Sequence, residues 1–195
     1  MSDRCDGIFQ CIDKSDEDEC KLITINKQIY DKDYPPRKEE GDALYVKVKF
    51  IIDAIQNVKE LHMTFGSKLT LMLEWHDERV RFSNLKQDDL TNLVGYDKAL
   101  NIWIPPLIFN NTQENKMVEL DKTASLFVNK RGEPQMAALS SINEDYFYKG
   151  SDNILLYRID YKLTYSCVFR LERYPFDTQT CQIEVCTIGC HNRQE

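Results

Sequence analysis

The residues best able to do chemistry are seven cysteines, which fall in two groups at the ends of the chain. They are Cys5, Cys11 and Cys20 in the first group, and Cys167, Cys181, Cys186 and Cys190 in the second. Cysteines clustered in this way are typical of small disulfide-stapled units in an oxidising, secretory compartment. The odd number means that at least one thiol lacks an intrachain partner or that the chain is incomplete.

The first cysteine group coincides with a cluster of acidic side chains. Residues 1–20 contain seven acids and two bases, a net charge of −5, whereas the remaining 175 residues carry only −2. Converging carboxylates supply both the oxygen ligands and the charge that calcium takes. The cluster therefore predicts a site for a hard cation, with a solvated acidic tail as the alternative. The chain lacks the basic stripe that nucleic acid requires, so no nucleic-acid partner is expected.

Three further features of the sequence bear on its chemistry. Cys186, Cys190 and His191 suggest zinc, but a fourth ligand is not apparent, and a disulfide between the two cysteines is the alternative if Gly189 makes a turn. Asn110 begins an Asn-Asn-Thr sequon, which predicts a site of N-glycosylation. The three histidines accompany no nucleophile or paired carboxylates, so we predict no catalytic residue and no enzymatic activity.

Alternating apolar and polar residues predict the strands that would position these groups. The period of two extends over 46–54, 65–75 and 157–167, as expected for half-buried strands of an antiparallel sheet. Turn signals separate the strands at Asn57, Asn84, Gly95, 131–134 and 150–153. A connector over 21–45 precedes them, with a short helix expected around 22–30. The sequence predicts an all-β fold, specifically a β-sandwich.

The cysteines indicate a secreted chain, but the sequence shows no signal for secretion. The first residues lack the apolar region of a signal peptide, and no apolar run approaches the roughly 18 residues that span a bilayer. We therefore expect the chain to be truncated at both ends.

The second cysteine group contains a segment that resembles the signature loop of Cys-loop receptors. Thirteen residues separate Cys167 from Cys181, and the exit of the loop reads Asp-Thr-Gln-Thr-Cys. The tip consists of Tyr174, Pro175, Phe176 and Asp177. The resemblance implies a Cys167–Cys181 disulfide, and closing a loop of this size restricts the unfolded chain by about 3 kcal/mol. It also implies that the tip transmits the effect of a ligand to an ion pore.

Other segments resemble the same family and occur in its order. They are Tyr-Asp-Lys-Asp-Tyr-Pro-Pro at 30–36, Trp-His-Asp-Glu-Arg-Val at 75–80, Ile-Trp-Ile-Pro at 102–105, and the strand that begins at Tyr157. One departure is Pro106, which stands where the family usually has Asp. The resemblance covers residues 22–190 and implies an immunoglobulin-like β-sandwich, five of which form a ring above a membrane pore.

The resemblance also implies where a ligand would bind, between neighbouring subunits and usually in a cage of aromatic side chains. The matching positions are Thr70, Met72, Ile108, Asn110 and Ile188. None of them is aromatic, so we do not expect a cage for acetylcholine or a similar amine to assemble. The expected partners are other receptor subunits and a small-molecule ligand. The missing aromatic residues would be explained by a partner subunit that contributes the principal face of the site, or by an anionic or neutral ligand.

Residues 4–20 resemble the C-terminal half of a class A module of the low-density-lipoprotein receptor. The resemblance implies a Cys5–Cys20 disulfide, with Cys11 paired to a cysteine in the missing first half. The implied calcium ligands are the side chains of Asp6, Gln10, Asp16 and Glu17. Gln10 replaces an expected aspartate, and the lost charge should lower the affinity.

The two resemblances divide the chain into a partial class A module at 1–20 and a ligand-binding domain at 21–195. The leading interpretation is the extracellular domain of a receptor subunit at the cell membrane, connected to that membrane by a transmembrane part outside this chain. A secreted binding protein of the same fold is the first alternative. A calcium-dependent adhesion or scavenging protein is the second.

The acidic cluster generates a prediction for the class A module with its missing half restored. Calcium should raise the melting temperature of this module by mass action, because only the folded state assembles the ligands. Asp16→Ala should abolish the shift in calorimetry, whereas Asp18→Ala, which removes an acid outside the implied ligand set, should retain it. Equal calcium responses of the two variants, or none in the parent module, would favour the solvated acidic tail.

Overall fold

β-Strands make up nearly all the regular structure of the chain. A computed structural model describes residues 11–12, 22–36, 44–88, 91–113, 123–136 and 146–187. The strands are β1 Ile23–Ile25, β2 Lys47–Lys59, β3 Thr64–Trp75, β4 Val80–Phe82, β5 Leu93–Val94, β6 Leu107–Phe109, β7 Ser125–Asn129, β8 Gln135–Met136, β9 Tyr146–Lys149, β10 Ile154–Ser166 and β11 Val185–Thr187. Within these ranges the helical elements are α1, Tyr96–Ala99, and a 3-10 turn, Glu60–His62. The predicted all-β fold class, that of a β-sandwich, is confirmed.

The three strands predicted from alternation are confirmed, as β2, β3 and β10, but two local predictions were wrong. The helix expected around 22–30 is replaced by β1, whose Ile23 and Ile25 pair antiparallel with β4. Two β-branched isoleucines around a threonine suit a pleated strand better than a helix. Asn57 does not end its strand: it lies within β2 at a φ of 51°, a conformation that asparagine tolerates. None of the helices in the described ranges is long and apolar enough to cross a membrane.

The chain divides into two compact units. The described residues of the first lie within Met1–Lys47, Glu74–Trp103 and Ser125–Tyr157, and those of the second within Val48–Leu73, Ile104–Ala124 and Arg158–Glu195. The first unit contains a four-stranded sheet of order β1-β4-β9-β8. In the second unit β3 lies between β2 and β10, and β6 pairs separately with β11.

A buried ion pair joins distant segments of the first unit. Asp77 is completely buried, and Arg79 binds it through two bonds of 2.8 Å, from Nε to Oδ1 and from Nη2 to Oδ2. The same guanidinium donates through Nη1 to the carbonyls of Asp31 and Tyr34. Burial alone would lower the pKa of Arg79, but the hydrogen bond and charge of Asp77 outweigh it and raise that pKa. This pair therefore holds the connector before β2 against the turn after β3.

Tyr30 completes this network. Its hydroxyl donates to Asp77 Oδ2 at 3.1 Å and accepts from the backbone N–H of Trp103 at 2.9 Å. Burial raises the pKa of Tyr30, so the hydroxyl remains a donor. Close packing extends to Gly150, where a Cβ atom would lie 1.9 Å from the carbonyl oxygen of Asp77. Only glycine fits at that position.

An aromatic cluster forms the core of the second unit. Phe109 of β6 lies edge-on to Phe50, Tyr161 and Tyr165, at centroid distances of 6.4, 5.6 and 6.3 Å. Phe65 of β3 stacks on Tyr165 at 5.2 Å. Edge-on and offset pairs of this kind add about 0.5–1.5 kcal/mol each beyond the area that they bury. The cluster therefore joins β6 to β2, β3 and β10.

The buried ion pair gives the first prediction from the structure. Arg79→Met should destabilise the chain by about 3 kcal/mol or more, because the carboxylate of Asp77 stays buried without its partner. Urea unfolding followed by the fluorescence of Trp75 and Trp103, both in this unit, measures the change. Arg81→Met is the control: Arg81 is exposed over the ring of Phe147, and its loss should cost about 1 kcal/mol or less. Equal losses from the two variants would contradict the proposed importance of the pair.

Candidate functional site

The disulfide-closed loop is present as the sequence predicted. Cys167 and Cys181 are bonded, with Cα atoms 5.4 Å apart. Gln179 crosslinks the two arms of the loop, since its Oε1 accepts from Arg170 N–H at 2.9 Å and its Nε2 donates to the Arg170 carbonyl at 2.8 Å. Its Nε2 also contacts the carboxylate of Asp177. A covalent bond and an amide side chain therefore fix the shape of the loop.

The tip of the loop presents aromatic side chains to solvent. Tyr174 is 68% exposed and Phe176 93% exposed, and the peptide bond between Tyr174 and Pro175 is cis. Turn hydrogen bonds from Tyr174 N–H to the Leu171 carbonyl and from Phe176 N–H to the Arg173 carbonyl shape the tip. Exposed aromatic groups held on an ordered loop are suited to contact with another surface.

Hydrogen bonds tie the start of the loop and the segment after it to the ends of neighbouring strands. Met63, in the turn between β2 and β3, accepts from Cys167 N–H at its carbonyl, 2.8 Å, and from Phe169 N–H at its sulfur, 3.4 Å. After the loop, Asn111 donates to the Gln182 carbonyl at 2.8 Å and accepts from Glu184 N–H at 2.9 Å. A displacement of either strand end would therefore reach the loop through direct hydrogen bonds.

Thr70 and Met72, two of the predicted ligand positions, lie on the face of β3 opposite the apolar core. Thr70 is only 5% exposed, and its hydroxyl lies 2.7 Å from Asp160 Oδ1 and 3.3 Å from Asp53 Oδ2. A hydroxyl has one proton, so the shorter contact is its hydrogen bond. Thr70 thus bonds β3 to β10 and lies close to Asp53 of β2, a role that the sequence did not reveal.

Ile108 lies in a different sheet from Thr70 and Met72. Ile108 is half-buried on β6, opposite Cys186 of β11, and Asn110 follows that strand. The exposed Asn110 side chain accepts a contact from the free thiol of Cys186 at 3.3 Å. Glycosylation of Asn110 stays a prediction. Ile188, the fifth position, lies outside the described residues.

The predicted calcium site lies outside the described residues as well. This holds for Asp6, Gln10, Asp16 and Glu17, and for the expected Cys5–Cys20 pair. Cys11 is described and is a free, half-buried thiol. Within the described ranges no cluster of three or more histidine, cysteine, aspartate or glutamate side chains could hold a metal ion.

The sequence analysis missed a cavity of about 630 Å³ beside the disulfide loop. Residues of β2, β3 and both arms of the loop line it. Ser67 of β3 is one of them. Burial raises the pKa of the neighbouring Tyr165, and a hydrogen bond with the Ser67 hydroxyl partly offsets that increase. The sequence signal that could have indicated this cavity lies on β2, where apolar residues alternate. In the structure this strand is exposed on both faces.

Comparison with known proteins adds an independent line of information. Residues 19–194 match the protein family described as the neurotransmitter-gated ion-channel ligand binding domain. A glutamate-gated chloride channel of Drosophila melanogaster is 26% identical over 77% of this chain and 28% of its own length. A gamma-aminobutyric acid receptor subunit beta of Caenorhabditis elegans is 26% identical over 76% and 23%. An acetylcholine receptor subunit, beta-type unc-29, of the same nematode is 22% identical over 90% and 31%. The chain thus spans less than a third of these relatives.

The geometry of the loop gives a prediction for Gln179. Gln179→Ala should speed hydrogen exchange at the Arg170 amide by about tenfold or more, because two hydrogen bonds across the loop are lost and each contributes about 1 kcal/mol. The disulfide should remain. Gln182→Ala is a matched control, since the hydrogen bond described for Gln182 uses its backbone carbonyl. Unchanged protection of Arg170 in Gln179→Ala would mean that the disulfide alone fixes the loop.

Proposed function

Because the chain belongs to the family of neurotransmitter-gated ion-channel ligand-binding domains, we propose that it is the extracellular part of a membrane receptor subunit whose ligand opens an ion pore. The chain covers less than a third of its relatives, so the pore and the activity of the complete receptor belong to the proposal. Other subunits of the same kind complete the assembly, as a pentamer. The ligand is a small molecule held between subunits.

The observation that carries the proposal is the rigid loop with its exposed aromatic tip. Gating requires that a ligand bind one state of the receptor more tightly than the other, and that this difference reach the pore. A loop fixed by Cys167–Cys181 and Gln179 moves as a unit with the strands to which it is bonded. Its exposed Tyr174 and Phe176 supply the contact with the next part of the receptor.

The ligand positions argue for a site without an aromatic cage on this chain. The Thr70 hydroxyl donates its hydrogen bond to Asp160. Ile108 and Asn110 have no aromatic ring that could bind a cation. The relatives are named for glutamate, gamma-aminobutyric acid and acetylcholine, three different ligands. We propose that a partner subunit supplies the principal face of the site, or that the ligand is anionic or neutral.

Two further elements belong to this proposal. Calcium binding by Asp6, Asp16 and Glu17 would stabilise a module in front of the domain, with Gln10 lowering the affinity. A secreted binding protein of the same fold is the alternative function. It differs from the receptor in one measurable respect, since its complete transcript would encode no apolar spans after the domain.

The ligand argument predicts that the complete subunit, expressed alone, gives no current with millimolar acetylcholine. A cation over an aromatic face gains about 0.5–2 kcal/mol, and the loss of several such faces lowers the affinity by orders of magnitude. Voltage clamp of cells that express the complete subunit tests this, and surface biotinylation verifies that it reaches the membrane. Robust acetylcholine-gated current from the homomer would show that the three positions were matched wrongly.

The loop argument predicts the effect of Phe176→Ala in a complete receptor that responds to glutamate, gamma-aminobutyric acid or acetylcholine. The variant should lose most of its maximal current while radioligand binding changes little, because Phe176 is exposed at the tip of the loop and is not one of the ligand positions. Val168→Ala is the control, since Val168 is 79% exposed on the same loop but outside its tip. Normal current in Phe176→Ala would contradict a transmitting role for the tip.

A further inference from the structure

The cavity beside the disulfide loop has the size and walls of a small-molecule site. Its volume of about 630 Å³ lies within the range of pockets that enclose drug-sized ligands. Most of its lining is apolar and includes Ile52, Val58, Phe65, Phe169, Leu171 and Ile183. These residues come from β2, from β3, from the first arm of the loop and from the segment after it. All of them belong to the second unit.

The cavity is distinct from the ligand positions taken from the family resemblance. Phe65 and Ser67 line it from odd-numbered positions of β3, whereas Thr70 and Met72 occupy even-numbered positions. Successive side chains of a strand point to opposite faces of the sheet, so the cavity lies on the core side and the ligand positions lie on the other. A ligand in the cavity would therefore not compete directly with one at Thr70.

The charges of the lining indicate what kind of ligand the cavity takes. Among the described residues that line it, Glu60 and Asp177 are acidic and none is basic. Asp177 contacts the amide of Gln179, and a carboxylate can accept about four hydrogen bonds, so it retains acceptor capacity. Positive charge on a ligand is therefore favoured over negative charge.

We propose that this cavity binds a small hydrophobic amine. Its apolar body lies against Ile52, Val58 and Phe65, and its ammonium group lies beside the carboxylates of Glu60 and Asp177. Such a ligand contacts the loop together with β2 and β3, so its binding stabilises one position of the loop. This site goes beyond the proposed ligand between subunits and needs only the second unit of the chain.

The test uses 4-phenylbutylamine and its neutral analogue 4-phenyl-1-butanol as probes. Both are titrated into the isotopically labelled chain, and chemical shifts of Phe65, Phe169 and Ile183 are followed. The amine should bind and shift these signals, and the alcohol should bind roughly threefold or more weakly, as expected from the loss of an exposed charge pair. Equal affinities of the two probes, or no shifts with millimolar amine, would overturn the proposal.

Two variant pairs locate the site. Val58→Trp fills the cavity from a half-exposed position of β2 and should weaken amine binding about tenfold or more, whereas Val168→Trp places the same ring outside the lining and should not. Glu60→Gln should weaken amine binding roughly threefold, and Glu172→Gln, an exposed change outside the lining, should leave it unchanged.

The charge pair keeps the test decisive if Val58→Trp does not fold, because Glu60 is exposed in the turn after β2. Unchanged amine binding in a folded Val58→Trp, or in Glu60→Gln, would place the probe elsewhere and overturn the proposal.

Discussion

The alternation of side chains along β3 is the constraint on which the second unit depends. Leu69, Leu71 and Leu73 are completely buried on one face. Thr70 and Met72 therefore belong to the other face, since a strand cannot turn two successive side chains the same way. A slip of one residue in the register of β3 would exchange the two sets. The burial of three leucines thus fixes both the core and the surface where the family resemblance places a ligand.

The same strand positions the disulfide loop. The turn before β3 ends at Met63, whose carbonyl and sulfur accept from the start of the loop. Phe65, the next core residue of β3, stacks on Tyr165 just before the first cysteine of the loop. The loop is therefore joined to β3 by hydrogen bonds and by packing, and its arms are held together by a disulfide. A rigid loop attached to β3 in this way is suited to transmit a displacement of the strand, because its internal bonds keep it from deforming when the strand moves.

The first unit is stabilised in a different way, around one buried charge. Asp77 is satisfied by Arg79, by Tyr30 and by the turn that it caps. Because a buried carboxylate is costly without partners, each of these groups is constrained by the others. Gly150 shows the tightness of the arrangement, since a side chain there would collide with the Asp77 carbonyl. The motif that begins at Trp75 thus stabilises the first unit.

The sequence by itself determined the fold class, the three long strands, the disulfide and the family, because each of these leaves a local record. Alternation reports which face of a strand is buried, and thirteen residues between two cysteines identify the loop. The tertiary structure decided what depends on distant partners. It made Ile23–Ile25 a strand by pairing it with β4, and it placed Asp53 and Asp160 around Thr70 from 17 and 90 residues away. It also assembled the cavity from β2, β3, the disulfide loop and the segment after that loop. A local pattern records how a residue faces its own strand, whereas the identity of its neighbours is set by contacts between segments that the pattern does not encode.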